Sequence, residues 1–133
     1  MSRVLVDSSV WIEVLRGDRS ARMQLSHLAR DRGIVTCEPV MMEILSGARR
    51  GDAHRIESFL DGFLSLPLRA ELDFRFAALV RRRLRDRGLT LRSGMDALIA
   101  TIAINHGATV LHQDSDFERI ATVAELRQER WAA

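Results

Sequence analysis

Short apolar runs alternate along the chain with longer stretches in which apolar residues recur every three or four positions. Runs of the first kind are typical of buried strands, and the periodic stretches are typical of amphipathic helices. Strands are predicted at residues 3–7, 34–36 and 108–112, with a brief extended segment at 64–68. Helices are predicted at residues 8–17, 18–30, 38–47, 52–63, 71–87, 93–105 and 116–120. Strands that alternate with helices indicate an α/β fold with a central, mostly parallel sheet flanked by helices.

Two segments differ from this alternation. Residues 97–104 are almost all apolar or small, so the helix that contains them should be buried on most sides. The tail at residues 122–133 is compatible with an edge strand and with a helix. The chain has no internal repeat, low-complexity segment or linker, and its 133 residues fit a single domain spanning residues 1–133.

Four acidic residues stand beside apolar sequence. Asp7 and Asp114 each follow a predicted strand, Glu43 lies in the middle of a helix, and Asp96 opens the apolar helix. Ligands of parallel sheets bind beyond the carboxyl ends of the strands, where Asp7 and Asp114 are expected. A lone carboxylate is costly to bury, so each of these acids needs hydrogen bonds, an ionic partner or a bound cation.

Each acid also has an ordinary structural interpretation. Asp7 can cap the helix that follows it, and Glu43 can be a plain solvent-facing glutamate. Asp96 lies in the first turn of its helix, as a capping acid would. Asp114 and Asp116 lie in a turn, where aspartate is favoured for local hydrogen bonds.

Considered together, the acids favour a shared divalent cation. Two carboxylates about 4 Å apart repel by roughly 4 kcal/mol at an effective dielectric of about 20, so several of them stay ionised together only around such an ion. Oxygen ligands alone favour Mg²⁺ or Mn²⁺ over zinc. A metal held in this way can deprotonate water and stabilise an in-line displacement at phosphorus. The candidate ligands are Asp7, Glu43, Asp96, Asp114 and Asp116.

Arginine supplies all 20 basic residues, the net charge is +2, and the sequence pI is about 9.8. Genome composition is one explanation, and phosphate recognition is another, because the guanidinium fork matches phosphate oxygens. Arg82 and Arg85 belong to a basic stripe on the helix at 71–87, which is either a solvated face or a surface that follows a phosphate backbone. Arg92 is either a substrate contact or an ionic partner of the acids. The apolar stripe of the same helix is predicted to comprise Leu72, Phe76, Val80 and Leu84.

Composition also limits the class of protein. A single cysteine excludes an internal disulfide and a cysteine-rich zinc site. No apolar run approaches the ~18 residues of a membrane helix, and the opening MSRVLVD lacks the long apolar region of a signal peptide. The chain is therefore expected in the cytoplasm and away from membranes. His112, two residues before Asp114, is either a helper of the acidic site or a partly buried structural histidine.

The segments MSRVLVDSSVWIEVLRG, PVMMEILSGAR and MDALIATIAINHGATVLHQDSDFERI, in this order, resemble the PIN domain. They are most similar to the small bacterial VapC-type toxins of toxin–antitoxin pairs, and the resemblance covers nearly the whole chain. It implies a PIN-like three-layer α/β fold. Asp116 matches a secondary acid of the family, and Ser9 falls where the family has a hydroxyl residue near the first acid. The main acidic positions of the family are matched by Asp7, Glu43, Asp96 and Asp114.

The resemblance also implies a function. The chain would be a Mg²⁺-dependent endoribonuclease, with Mn²⁺ as a substitute ion, that hydrolyses RNA phosphodiester bonds with metal-activated water. The four main acids would be catalytic. The candidate RNA contacts Arg82, Arg85 and Arg92 come from the pattern of basic residues and not from the resemblance. A homodimer is expected, together with a small cognate antitoxin that inserts a segment over the acidic pocket. Candidate antitoxin contacts are Met41, Met42, Leu45 and the exposed apolar residues of the early helices.

Two other functions stay open at this point. One alternative is a non-catalytic module that binds nucleic acid or a partner, although the intact set of acids argues against it. A DNA-directed nuclease is the other. RNA cleavage by wild type and by Asp7→Asn and Asp96→Asn variants, with DNA as a competitor, separates the three.

Overall fold

The computed structural model describes residues 2–131, which are built around a five-stranded sheet. The strands are β1 (Val4–Val6), β2 (Ile34–Thr36), β3 (Leu64–Ser65), β4 (Thr109–His112) and β5 (Arg127–Arg130). Their order across the sheet is β3-β2-β1-β4-β5, and every neighbouring pair is parallel. The α/β fold with a parallel central sheet is therefore confirmed.

Helices occupy the segments between the strands, as parallel connections require. They are α1 (Ser8–Leu15), α2 (Arg19–Arg32), α3 (Glu38–Ser46), α4 (Ala53–Leu60), α5 (Leu72–Asp86), α6 (Gly94–His106) and α7 (Ser115–Ile120). Each helix lies where the sequence predicts one, with its ends shifted by a few residues. Among residues 2–131, no helix combines the length and the apolar character needed to cross a membrane.

The centre of the core lies between β1 and the helices that cover it. Val4, Leu5 and Val6 are fully buried, as residues of a strand covered on both faces must be. Residues 97–103 of α6 are also buried, which confirms that this apolar helix is enclosed on most sides. The apolar side chains among these residues belong to one hydrophobic cluster. The first strand therefore lies in the middle of the sheet, and the residue that follows it is held by the core.

The chain changes direction across the sheet at β1. It adds β2 and β3 on one side of β1 and later adds β4 and β5 on the other side. The connections that follow β1 and β4 therefore lead away from each other and leave a crevice at the carboxyl ends of these strands, where α/β proteins bind ligands. The two strand ends are joined directly, because the Asp7 N–H donates to the Leu111 carbonyl at 2.9 Å.

The tail forms an edge strand rather than a helix. β5 pairs in parallel with β4, from Thr109 opposite Arg127 to His112 opposite Arg130. Charged side chains on an edge strand oppose pairing with a second molecule. Residues 132 and 133, which belong to the same predicted tail, lie outside the described residues.

The predicted apolar stripe of α5 is wrong at its first position. Leu72 is 60% exposed, whereas Asp73 is fully buried. The Asp73 carboxylate accepts hydrogen bonds from the Arg69 main chain and side chain and from Asn105, which makes its burial tolerable. A buried, fully hydrogen-bonded acid thus replaces an apolar residue at the start of this helix, and a hydrophobic pattern gives no sign of it.

Candidate metal centre

Asp7 caps α1, and its carboxylate lies close enough to Asp114 for their charges to interact. Its Oδ2 accepts the Ser9 N–H at 3.1 Å and the Ser9 hydroxyl at 2.6 Å. Its Oδ1 is buried and has no hydrogen-bond donor within residues 2–131. Burial raises the pKa of Asp7, and the hydrogen bonds from Ser9 offset only part of that rise. One oxygen of Asp7 is thus used by the fold, and the other remains for a ligand.

Glu43 reaches the crevice from α3. Its side chain is half-buried, and its Oε1 accepts the Ser8 hydroxyl at 3.1 Å. Burial raises the pKa of Glu43, and the neighbouring charge of Asp7 adds to the rise. Glu43 is therefore not the plain solvent-facing glutamate that the sequence also allowed.

Asp96 lies in the first turn of α6, but Ser93 makes the cap there. The Ser93 hydroxyl oxygen accepts the Met95 N–H at 3.1 Å. Asp96 is buried, and in the described part of the chain its Oδ2 has no hydrogen-bond donor. Burial, together with the charges of Asp7 and Asp114, raises the pKa of Asp96 to about 8. Without a cation, this carboxyl group therefore holds its proton at neutral pH.

Asp114 caps α7 and pairs with an arginine. Its Oδ1 accepts the Asp116 N–H at 3.0 Å, and its Oδ2 lies 3.3 Å from Arg92 Nη2. Burial acts to raise the pKa of Asp114, but the Asp116 N–H and the Arg92 guanidinium outweigh it, so the pKa is lowered. Asp114 is therefore ionised beside a protonated Asp96.

Asp116 is fully buried, and both of its oxygens have partners. Oδ1 accepts a hydrogen bond from Arg119 Nη1 at 2.8 Å, and Oδ2 accepts the Arg92 N–H at 2.9 Å. A carboxylate oxygen can accept a second hydrogen bond or contact an ion through its other lone pair. Asp116 is therefore tied to the protein on both oxygens and meets a cation only through a spare lone pair or through water.

Three of the five acids form a close group at the crevice, and Asp7 and Glu43 are not part of it. Ligand oxygens of Asp96, Asp114 and Asp116 all lie within 4.8 Å of one another. Asp7 and Glu43 also act on this cluster, since their charges contribute to the raised pKa of Asp96. At a separation of 4.8 Å and an effective dielectric of about 20, two unit charges repel by roughly 3.5 kcal/mol. Protonation of one carboxylate relieves part of this repulsion, and a divalent cation would relieve more of it.

The donor set fits a hard divalent cation. The candidate ligand atoms are carboxylate oxygens, which Mg²⁺ and Mn²⁺ bind well. Asp96 Oδ2, and Asp7 Oδ1 outside this group, are buried without a hydrogen-bond donor among the described residues. A buried polar atom without a partner costs about 1–3 kcal/mol, and more when it is charged. A cation in contact with such an oxygen removes its cost, and Asp96, Asp114 and Asp116 bring three ligand oxygens close enough together to hold a metal ion.

Sequence reasoning missed two residues that hold the acids in place. Ser8 donates to Glu43 from a position 35 residues earlier in the chain, and Arg119 pairs with Asp116 from one turn further along α7. The spacing of three residues was a usable signal for the second pair, because side chains at i and i+3 of a helix are neighbours. No local signal links Ser8 to Glu43, since their contact depends on how α1 and α3 pack.

The predicted basic residues fall into two groups. Arg82 and Arg85 are exposed and line a shallow cavity of about 240 Å³ together with Arg81. The ion pairs found among residues 2–131 involve none of these three. A Cβ placed on Gly94 would lie 3.1 Å from Arg81 Nη1, so the stripe reaches the start of α6. Arg92 differs from them, because it contacts the acids through both its main chain and its side chain.

Apolar surface lies on another side of α1. Trp11, Leu15 and Phe59 help to line a groove of about 510 Å³ between α1, α2 and α4. Met42 is 48% exposed, as a surface contact must be. Met41 is buried in the core, which corrects its expected place among the contact residues.

Comparison with known proteins decides the family. A family model described as PIN domain matches residues 4–123. The chain belongs to the PIN domain family. This PIN domain is 41% identical over 128 residues to the protein named VapC ribonuclease Mb1587 of Mycobacterium bovis, and the match covers 93% of this chain and 96% of that protein. The resemblance stated from the sequence motifs is therefore confirmed.

Solved structures share the fold of this PIN domain. VapBC2 from Rickettsia felis, solved bound to a DNA fragment from its promoter, matches with a TM-score of 0.78 at 20% identity, over 98% of this chain and 99% of that chain. VapBC-5 from Mycobacterium tuberculosis, a member of the VapBC family of toxin–antitoxin systems, matches with a TM-score of 0.68 at 23% identity, over 98% of this chain and 100% of that chain. These likenesses confirm the PIN-like architecture that the motifs implied.

Proposed function

We propose that this PIN domain is a metal-dependent endoribonuclease and the toxin of a toxin–antitoxin pair. The observation that carries the proposal is the set of acids at the crevice, in which Asp7 Oδ1 and Asp96 Oδ2 are buried without a hydrogen-bond donor among the described residues. The 41% identity to a protein named a VapC ribonuclease supports the same activity. The reaction is hydrolysis of phosphodiester bonds within RNA.

The proposed ion is Mg²⁺, with Mn²⁺ as a substitute. Asp7, Asp96 and Asp114 are the proposed direct ligands, and Glu43 and Asp116 complete the acidic set. When bound, the ion lowers the pKa of water and offsets the negative charge that develops on the phosphate. All of these side chains come from one domain, which we propose to span residues 1–133.

The protein's own groups prepare this centre. The hydroxyls of Ser9 and Ser8 hold Asp7 and Glu43 at the crevice. Asp96 must release its proton when a cation binds, because metal ligands are deprotonated and its pKa is otherwise about 8. Hydrolysis then forms a bond from water oxygen to phosphorus and breaks the bond from phosphorus to the 3′ oxygen. The products carry a 5′ phosphate and a 3′ hydroxyl.

RNA is proposed to lie along the basic stripe of α5 and to enter the site beside Asp96. Arg82 and Arg85 are exposed, and Arg81 approaches Gly94 at the start of α6. Arginines arranged in this way neutralise phosphates and release counterions, which is the main source of affinity for nucleic acids. Arg92, with its side chain 79% exposed at the edge of the acids, is the proposed contact nearest to the cleaved phosphate.

The most direct experiment is RNA cleavage with Mg²⁺ by wild type and by the Asp7→Asn and Asp96→Asn variants. Asparagine at position 7 keeps an oxygen that can cap α1, so a loss of cleavage there reflects the lost charge rather than a lost fold. Glu57→Gln, which removes an exposed acid from α4, is the matched control and should cleave like wild type. Equal cleavage by all four proteins would end the metal-nuclease proposal.

The same experiment separates the other two functions. RNA binding without cleavage by wild type, with Mg²⁺ or Mn²⁺ present, would favour a non-catalytic binding module. Competition between RNA and DNA substrates distinguishes a ribonuclease from a DNA-directed nuclease, because preferential cleavage of DNA would replace RNA as the proposed substrate.

The antitoxin is proposed to cover the apolar groove between α1, α2 and α4 and to reach the acidic pocket. Phe59 lines this groove and is 49% exposed. Phe59→Glu should therefore weaken the complex with a small protein encoded next to this chain, whereas Leu64→Glu, at an exposed apolar residue outside the groove, should not. Equal complex formation by both variants would place the partner elsewhere. We also propose that the protein is a homodimer and acts in the cytoplasm.

A further inference from the structure

We infer that His112 is a positioning residue for Asp114, and that Gln128 of the edge strand holds the His112 ring in the orientation this requires. This inference rests on the proposed function, because it treats Asp114 as a ligand of the cation. It assigns a role to a buried histidine that the acidic cluster itself does not use.

Three contacts define the arrangement. The Asp114 N–H donates to His112 Nδ1 at 3.1 Å, and His112 Nε2 lies 2.7 Å from Gln128 Oε1. The Phe117 ring lies against the imidazole, with ring centroids 5.1 Å apart. His112 is fully buried, so these neighbours fix the ring on its edges and on one face.

The direction of each hydrogen bond follows from the backbone amide. An N–H group can only donate, so Nδ1 of His112 must present its lone pair to Asp114. The hydrogen of the ring then lies on Nε2, and Gln128 must offer its carbonyl oxygen rather than its NH₂ group. The Asp114 N–H thereby selects the tautomer of His112, and Gln128 on β5 holds that tautomer by accepting the hydrogen on Nε2.

The position of the Asp114 main chain matters for the site. Asp114 is the N-cap of α7, and its carboxylate faces Asp96 within the acidic cluster. Groups that hold a metal ligand without touching the metal orient it, and their loss commonly weakens metal binding by about 10–100-fold. Both ring nitrogens of His112 already have partners, which excludes the ring in this arrangement as a ligand or a proton carrier.

Two substitutions separate positioning from simple support of the fold. His112→Asn keeps an acceptor where Nδ1 lies, because the asparagine Oδ1 branches from the same carbon position. His112→Gln instead places its amide near Nε2 and leaves the Asp114 N–H without an acceptor. Both remove the ring that packs on Phe117, so both should lower the stability of the fold to a similar extent.

Mn²⁺ binding, followed by the electron paramagnetic resonance of the free ion, gives a readout that does not depend on RNA cleavage. We expect His112→Gln and Gln128→Leu to weaken Mn²⁺ binding by about 10-fold or more, and His112→Asn to remain close to wild type. His106→Gln is the matched control, since His106 contacts the Pro67 carbonyl away from the acids. Equal Mn²⁺ affinity in the His112→Asn and His112→Gln variants would overturn the positioning role.

Nitrogen NMR of wild type tests the tautomer even if the variants fold poorly. The Nδ1 resonance of His112 should be that of an unprotonated ring nitrogen, and the Nε2 resonance that of a protonated one. The opposite tautomer would overturn the inference by itself. Failure of wild type to bind Mn²⁺ would overturn the cation site and this role together, whereas Mn²⁺ binding without RNA cleavage would count against the nuclease proposal alone.

Discussion

Ser9 Oγ lies 2.6 Å from Asp7 Oδ2 and donates its proton to that oxygen. The same hydroxyl accepts the Gln113 N–H at 3.0 Å, so one atom joins the end of β1 to the segment after β4. Its hydrogen bond also lowers the pKa of Asp7 against the burial that raises it. Ser9 therefore controls both where Asp7 lies and how readily it ionises.

Replacement of Ser9 by alanine should weaken both the fold and the cation site. The substitution leaves the Gln113 N–H without its acceptor and removes a hydrogen bond to a carboxylate, which costs about 1.5–3 kcal/mol of unfolding free energy. Mn²⁺ affinity should fall as well, because Asp7 then ionises less readily. Urea denaturation and Mn²⁺ titration measure the two effects. Ser9→Thr keeps the hydroxyl and is the control, and a Ser9→Ala variant equal to it in both measurements would contradict the assigned role.

Removal of divalent cations should make the protein less stable as the pH rises. The pKa of Asp96 is about 8 in the folded protein, against an ordinary value of 3.8. Between these values the folded state keeps a proton that the unfolded state has released, so the stabilisation is complete at low pH and is lost as the pH approaches 8. One proton gives a slope of at most about 1.4 kcal/mol per pH unit. Urea denaturation at several pH values in the presence of a chelator measures this slope.

Two controls identify Asp96 as the source of this slope. Asp96→Asn removes one titrating group and should make the dependence shallower, while Asp7 and Glu43, whose pKa values are also raised, still contribute. Saturating Mg²⁺ should flatten the dependence in wild type. An unfolding free energy that rises with pH over the same range, with the chelator present, would show that Asp96 is not held in its protonated form.

Replacement of Arg119 by methionine should destabilise the fold, because Asp116 is fully buried and loses one of its two partners. The expected loss is about 1–3 kcal/mol, the cost of leaving a buried acceptor without its donor. Arg55→Met is the matched control, since the Arg55–Asp52 pair is exposed and should contribute less than about 1 kcal/mol. Urea denaturation compares the two variants, and equal losses would show that burial of Asp116 does not matter.

Replacement of both Arg82 and Arg85 by glutamine should weaken RNA binding without changing the fold. The dependence of affinity on salt should also become less steep, by about 0.7 in the log–log slope for each phosphate of single-stranded RNA that the protein no longer neutralises. Fluorescence anisotropy at several salt concentrations measures both quantities. The double variant Arg19→Gln and Arg30→Gln removes the same charge from exposed positions on α2. If this control weakens RNA binding as much as the Arg82 and Arg85 double variant does, the effect comes from the total charge of the protein and not from a binding surface on α5.

The places of Asp7 and Asp114 followed from the sequence because each residue comes within two positions of the end of a short buried strand. The capping role predicted for Asp7 was also right, and Asp114, predicted only to make local hydrogen bonds in a turn, caps α7. The two roles coexist because a carboxylate has two oxygens. Asp7 uses one oxygen for the cap and keeps the other free of donors within residues 2–131. The sequence pattern predicts that Asp7 caps the helix. Only the folded structure shows that its second oxygen is buried without a hydrogen-bond donor among the described residues.

What the sequence did not show depends on packing between distant segments. β1 pairs with β4 as well as with β2, the next strand in the sequence, and this pairing brings the segments that carry Asp7 and Asp114 together. The hydrogen bond from Ser8 to Glu43 and the burial of Asp73 beneath Arg69 and Asn105 likewise depend on how helices lie against one another. Propensity and periodicity describe single elements, so these contacts lie beyond them.

The parallel pairing of β1 with β4 joins strands whose residues are more than one hundred positions apart in the sequence. Closing so long a loop costs roughly 4 kcal/mol of chain entropy before any contact compensates it, and proteins dominated by such distant pairings fold slowly. A newly made or partly unfolded chain therefore cannot bring Asp7 and Asp114 together. Hydrolytic capacity should appear late in refolding and all at once, so its recovery after dilution from urea would report completion of the sheet rather than formation of the helices.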